Sequence, residues 1–298
     1  MSIFDKLVVA TLPMVPRIIV GKVASQYIAG ETLADAVRTV RELNRLGLLA
    51  TVDVLGEFVH ERPVAARDAD EYIELLRTLH RERLDANVSV KLTAVGASID
   101  PQFMRGNLRR VVEAATSQGT FLRIDMEDSP YTTDTLQVYD ELRRDFKVGV
   151  VIQAYLRRSM ADIDKLMDGG AANFRLCKGI YVEPEEIAFK SKQEIRDSYV
   201  ALLDRMFARG AYVGIATHDD WLIAAGEQLI KKHRLTPDKY EFQMLLGVLP
   251  RLRDEIHGRG HRVRIYVPYG KSWYGYSTRR LKENPQIAGY VLRGIFKN

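Results

Sequence analysis

The feature that most restricts what this chain can fold into is an eightfold alternation: a short β-branched apolar run ends in polar residues, and a longer segment of helical periodicity follows. The predicted strands are residues 49–55, 87–92, 121–126, 148–154, 173–177, 212–217, 240–245 and 262–268. Amphipathic segments such as 69–81, 104–115, 132–144, 184–207 and 219–232 lie between them. Strand and helix in strict alternation imply parallel pairing through right-handed crossovers, and eight units close into a (βα)8 barrel more naturally than into an open sheet. An open doubly wound sheet is the alternative, but no Gly-x-Gly-x-x-Gly follows the first strand. The fold class read from this pattern is α/β. Residues 1–45 precede the first strand and read as helices, including 32–46, packed on the outside or bottom of the barrel. No linker or low-complexity tract interrupts the pattern, so residues 1–298 read as one domain.

Composition narrows the classes of function. The 46% hydrophobic content over 298 residues supplies one large core. Cys177 is the only cysteine, so neither an intrachain disulfide nor a cysteine-rich metal site can be written. Forty-four Lys and Arg against thirty-nine Asp and Glu give +5, spread along the chain. That balance suits an anionic ligand or an anionic membrane surface, and the absence of a basic run interleaved with aromatics argues against nucleic acid. The apolar stretch 7–29 is broken by Pro13, Pro16, Arg17 and Lys22 and is not expected to span a bilayer, nor does a cleavage site suggest secretion.

In a barrel the reacting residues belong at the carboxyl ends of the strands. Those positions hold Asp53 and Glu57, Lys91 and Thr93, Asp125 and Glu127, Gln153 and Tyr155, Arg175 and Lys178, Thr217 and His218, Gln243 and Tyr266. A charged residue there can equally be the solvated lip of the barrel or the cap of the next helix. Lys91, Arg175 and Asp125 differ because they lie in or directly after apolar segments, so each must pair with the others or with a ligand. His218 is either near a helix cap or a ligand contact; no further ligands stand at metal spacing, and His60, His80, His233, His257 and His261 read as surface residues. After the last strand, Tyr276, Arg279, Arg280 and Glu283 fall on one helical face. A phenol, two guanidiniums and a carboxylate there suit a small anion with a nonpolar body, the alternative being a solvated face with an Arg279–Glu283 pair.

The runs Asp53-Val54-Leu55-Gly56-Glu57, Arg175-Leu176-Cys177-Lys178-Gly179-Ile180-Tyr181, Thr217-His218, Glu241-Phe242-Gln243 and Tyr276-Ser277-Thr278-Arg279-Arg280-Leu281-Lys282-Glu283 stand in this order, most of them at strand ends. On them the sequence resembles the proline dehydrogenases, both the small monofunctional enzymes and the dehydrogenase module of proline utilisation A. The resemblance implies a distorted (βα)8 barrel with noncovalent FAD over the strand ends and a final helix above the barrel mouth. It implies oxidation of L-proline to Δ1-pyrroline-5-carboxylate, with hydride passing to flavin N5 and electrons going on to a quinone. Location in the cytoplasm, with peripheral contact on the inner face of the cell membrane, goes with that acceptor.

Residue by residue, Arg175 resembles the group beside flavin N5 and Gln153 a partner of the ring's polar edge. Lys178, Gly179 and Ile180 would follow the ribityl and phosphate portion, Thr217 and His218 would hold the adenosine half, and Met126 would line the flavin. Lys91, Arg279 and Arg280 resemble the carboxylate clamp, with Glu283 on the same helical face, and Tyr266 and Tyr276 resemble walls around the pyrrolidine ring. Asp125 looks like the active-site acid, and Glu57 with Arg279 like an ion-pair gate. One departure is Val182-Glu183-Pro184 after Tyr181, where the family varies. Two rival readings remain: a Schiff-base enzyme using Lys91, and a barrel that binds a ligand without turnover.

Overall fold

The structure is a computed structural model that describes residues 26–274. Helix α1 (Leu33–Arg45) begins at Thr32, whose hydroxyl accepts from Asp35 N–H while the Asp35 carboxylate reaches back to the Thr32 backbone. Its buried face, Ala36, Val37, Val40 and Leu43, packs against the first and last strands. The chain then runs β1 (Leu49–Val54), α2 (Arg62–Arg81), β2 (Ala86–Val90), α3 (Pro101–Ser117), β3 (Leu122–Ile124), α4 (Ser129–Leu142), β4 (Val148–Gln153), α5 (Ser159–Asp168), β5 (Asn173–Cys177), α6 (Lys192–Ala208), β6 (Tyr212–Ala216), α7 (Asp220–Lys232), β7 (Tyr240–Leu245), α8 (Pro250–Gly258) and β8 (Val263–Tyr269).

All eight strands are parallel and each pairs with the next, and β8 closes on β1 through Thr51↔Tyr266 and Asp53↔Pro268. The barrel read from the alternation is therefore the observed fold, and the open sheet is excluded. The predicted strands agree with the observed ones within about two residues, the largest change being β3, which stops at Ile124 and leaves Met126 and Glu127 in the following loop. The helix predicted over 184–207 begins instead at Lys192. Ser191 caps it in a reciprocal box with Glu194, while residues before it form a turn in which Leu156 bridges Ala188. The expected final helix lies outside the described residues, as does most of the N-terminal segment.

Register shows which side chains share a face. Asp53 pairs with Ser89, Ser89 with Arg123, Arg123 with Gly149, Val151 with Arg175, Arg175 with Gly214, and Gly214 with Glu241. Because side chains alternate along a strand, these positions all point one way. Bonds between strands that are not neighbours, such as Arg175 on β5 to Ser89 on β2, put that face inside the barrel. The lumen is thus polar, where a parallel barrel ordinarily stacks branched aliphatic side chains. The apolar core is the opposite face, where Val52, Val90, Ile124, Phe174, Ile215 and Ile265 are buried under the helices. Each such burial contributes about 1.5–3 kcal/mol.

Two glycines make room inside. A β-carbon at Gly149 would overlap the Arg123 guanidinium, and one at Gly214 would overlap the Gln243 amide. Arg123 is fully buried and donates to the carbonyls of Val150 at 3.2 Å and Asn173 at 2.9 Å and to Asn173 Oδ1 at 2.7 Å. Burial, aided by the nearby Arg175 charge, lowers its pKa to about 9. No helix among the described residues is long and apolar enough to cross a membrane.

Candidate active site

At the carboxyl end of the lumen five strands, β1, β2, β3, β5 and β8, contribute one hydrogen-bonded cluster. Lys91 Nζ lies 2.7 Å from Asp53 Oδ2 and 3.5 Å from the Tyr266 hydroxyl. Tyr266 in turn donates to Asp125 Oδ2 at 2.9 Å. Asp125 Oδ1 accepts from Arg175 at 2.5 Å and from Ser89 Oγ at 3.0 Å. The Arg175 guanidinium sits 5.3 Å from the Tyr266 ring centroid. Asp53, Ser89, Lys91, Asp125 and Arg175 are all buried.

The requirement that Lys91, Arg175 and Asp125 be paired is therefore met inside the protein, with Asp53 as the fourth member. Burial pulls the Lys91 ammonium down, and the Asp53 and Asp125 carboxylates outweigh it, so the group is held above its ordinary pKa. A lysine kept protonated is a poor nucleophile, which counts against the Schiff-base reading. Two cations against two carboxylates leave this part of the mouth close to neutral, with donor capacity toward an incoming carboxylate on Lys91, since the single Tyr266 O–H is already given to Asp125.

Along the rim from β4 to β6 lie the residues expected to hold a cofactor. Gln153 ends β4, is 3% exposed, and its Oε1 has no hydrogen-bond partner among the described residues. It stands in register with Cys177 at the end of β5. Gly179 follows with φ +108°, and a β-carbon there would overlap the Tyr155 ring, so only glycine fits. Lys178 reaches Asp219 at 3.4 Å, and Ile180 is half-buried. Thr217 is buried and its hydroxyl accepts from Asp219 N–H at 3.1 Å. His218 Nε2 accepts from Leu245 N–H at 3.0 Å, which places the proton of the neutral ring on Nδ1. Met126 is buried just beyond β3.

On the opposite rim, Glu57 is half-buried in the loop after β1. That loop turns through Phe58 at φ 54°, an unfavourable region for a non-glycine residue. Thr93 secures the turn: its hydroxyl accepts from Phe58 N–H at 2.9 Å and its carbonyl from Val59 N–H at 3.2 Å. The Thr93 hydroxyl itself donates to Glu127, whose other oxygen accepts from Thr93 N–H at 3.0 Å. Burial, offset in part by these bonds, raises Glu127 to about 7. Tyr276, Arg279, Arg280 and Glu283 lie outside the described residues.

Sequence reasoning left several interior residues without a role, among them Ser89, Arg123, Glu241 and Arg264. Arg264 donates to Glu241 at 2.7 Å and Glu241 accepts from Gln243 at 2.6 Å, all three being buried. Their signal was the polar residue at every second position of a strand whose other positions are apolar. His261 also departs from its surface reading. It is half-buried, 5.1 Å from the Phe242 ring centroid, and bonded to the Tyr240 hydroxyl at 2.8 Å.

The sequence profile of the family described as Proline dehydrogenase matches residues 36–293. Proline dehydrogenase 1 of Bacillus subtilis strain 168 is 38% identical over 275 residues, covering 92% of this chain and 91% of that protein. The proline dehydrogenase of Deinococcus radiodurans is 34% identical over 300 residues, covering 98% and 96%. Among solved structures, proline utilization A from Bdellovibrio bacteriovorus inactivated by N-propargylglycine superposes with a TM-score of 0.83 at 27% identity, over 88% of this chain and 32% of that larger one. A profile match spanning the whole barrel, joined to such identity along nearly the full length of two named enzymes, establishes that the chain belongs to the proline dehydrogenase family.

Proposed function

We propose that this proline dehydrogenase oxidises L-proline to Δ1-pyrroline-5-carboxylate with noncovalently bound FAD, and that the electrons go on to a quinone. The observation that carries the cofactor assignment is the β4–β5 rim. There a buried amide oxygen, Gln153 Oε1, has no hydrogen-bond partner among the described residues beside a backbone turn at Gly179 with no room for a side chain. A flat ring with polar N–H edges and a trailing phosphate chain fits that pair of features. Gln153 would accept from the ring edge, Met126 would line it, and Lys178, Gly179 and Ile180 would follow the chain toward Thr217 and His218. Bound FAD supplies the two-electron acceptor for the hydride that leaves the proline carbon next to nitrogen.

The remaining work falls to side chains of this protein. Lys91, with Arg279 and Arg280, holds the substrate carboxylate, and Tyr266 with Tyr276 walls the ring. Orientation of this kind lowers a barrier by up to about 7 kcal/mol. Arg175, fixed by Asp125 at 2.5 Å, stabilises the negative charge that develops next to it as the substrate is oxidised. With Lys91 and Arg175 balanced by Asp53 and Asp125, it is the added charge of Arg279 and Arg280 that would disfavour the protonated secondary amine, and only the neutral amine releases hydride readily. Glu57 and Arg279 close the mouth as an ion pair, with Glu283 on the same helical face as Arg279. Because α1 packs against both β8 and β1, the outer position beside the last strand is taken. That supports a final helix above the mouth. Quinone as acceptor goes with peripheral attachment at the inner face of the cell membrane.

A visible absorption spectrum tests the reading. The purified protein should show flavin bands that L-proline bleaches without air, and acid should release FAD. N-propargylglycine should inactivate the enzyme only when the cofactor is bound. A colourless protein that oxidises proline after addition of another cofactor, or colour that stays with denatured chain, would overturn the assignment.

A further inference from the structure

Arg175 on β5 pairs directly with Gly214 on β6, and Gly214 in turn pairs with Glu241 on β7. The missing side chain at Gly214 opens a passage through which a β7 residue reaches β5. Gln243 uses it: its amide fills the space a β-carbon at Gly214 would take, and its Oε1 accepts from Arg175 Nε at 2.6 Å. Which end of a glutamine amide points where is decided by its partners. Glu241 decides it here, because an ionised carboxylate can only accept, so the atom 2.6 Å from Glu241 must be the Gln243 nitrogen. The oxygen is thereby turned toward Arg175. Glu241 is kept ionised because the buried Arg264 guanidinium lies 2.7 Å away, and that pairing and its hydrogen bonds outweigh the upward push of burial.

We infer that Gly214, Gln243 and Glu241 are positioning residues that fix the rotation of the Arg175 guanidinium. Arg175 is then held on three sides, by Ser89 at 3.0 Å, Asp125 at 2.5 Å and Gln243 at 2.6 Å, from β2, β3 and β7. A planar cation secured on three edges cannot swing as charge develops beside it, which is the preorganisation that electrostatic stabilisation needs. The inference rests on the placing of Arg175 at the reaction centre proposed above.

The test compares Gly214→Ala, Gln243→Met, Glu241→Gln and the double variant Glu241→Gln/Gln243→Glu with the unaltered holoenzyme. Gly214→Ala removes no polar group and only displaces the far end of Gln243. The double variant moves the carboxylate to position 243, where it accepts from Arg175, and leaves an amide at 241 that bonds both neighbours. The three single variants should lower kcat about tenfold with little change in KM for proline, and the double variant should recover to within about threefold of the unaltered enzyme. A second readout needs no cofactor. A slowly exchanging Arg Nε–H signal in proton–nitrogen correlation spectra, identified by its loss in Arg175→Lys, should vanish in Gly214→Ala and Gln243→Met and return in the double variant. If the unaltered protein binds no FAD but the signal behaves this way, the cofactor reading fails and the positioning role stands. A signal and kcat untouched in Gly214→Ala and Gln243→Met, or a double variant no better than its worse single, overturns the inference.

Discussion

Lys91 Nζ lies 2.7 Å from Asp53 Oδ2, with the aspartate wholly buried and its second oxygen without a partner among the described residues. An aspartate so placed depends on its one cation. Lys91→Met should destabilise the fold by about 3–5 kcal/mol, as removing one member of a buried pair does. Asp53→Leu should cost a similar amount, whereas the double variant should cost clearly less than the two together. Urea denaturation of the three variants checks this, and additive losses would show that the two residues are not energetically coupled.

Glu127 titrates at about 7 in the fold against an ordinary value of 4.5. A raised carboxyl holds its proton more tightly when folded than when unfolded. Its contribution to stability is therefore complete below about pH 4.5 and is lost as pH rises through about 7, a change of about 3 kcal/mol at most. Glu127→Gln should abolish that slope. Unfolding free energies of both proteins from pH 5 to pH 8 are the measurement, and parallel curves would place the titration elsewhere. Asp68, which burial and then Glu71 raise to about 6, titrates in both proteins and cancels in the comparison.

Gly149→Ala tests the packing of the lumen without touching the mouth. The new methyl would press on the Arg123 guanidinium, which has three hydrogen bonds to keep. Overpacking of this kind costs about 1–3 kcal/mol, so Tm should fall by about 2–6 °C while kcat and KM for proline hold. A Tm equal to that of the unaltered protein would mean that the lumen yields to the methyl.

At Gly179 the expected loss is of cofactor. An alanine there meets both the positive φ and the Tyr155 ring, so the loop after β5 must move. Gly179→Ala should be purified with substoichiometric FAD and show a higher Kd for FAD in a fluorescence titration. Full occupancy with unchanged affinity would remove the β4–β5 rim from the cofactor site.

The barrel was legible because each strand declares itself locally, and so was the need for Lys91, Asp125 and Arg175 to be paired. What could not be read was who pairs with whom. Arg175 meets Ser89 from β2 and Asp125 from β3, and such contacts are set by closure of the whole barrel, not by neighbours in sequence. Arg123 and Arg264 were passed over because one charge within an apolar run leaves the strand pattern intact. The start of α6 was misplaced because periodicity runs on through residues 184–191, while the Ser191 cap makes the break.

The polar lumen also shapes how such a protein can change over generations. On the helix side a valine can become an isoleucine and the neighbours adjust by volume. Inside, Arg123, Asp125, Arg175, Gln243, Glu241 and Arg264 bond largely to one another or to nearby main-chain and side-chain groups, so a lone substitution strands a buried partner. Drift across the interior must then proceed by paired replacements on different strands. Positions far apart in sequence should therefore be inherited together, and a new specificity would arise more readily in the loops of the rim than within the barrel.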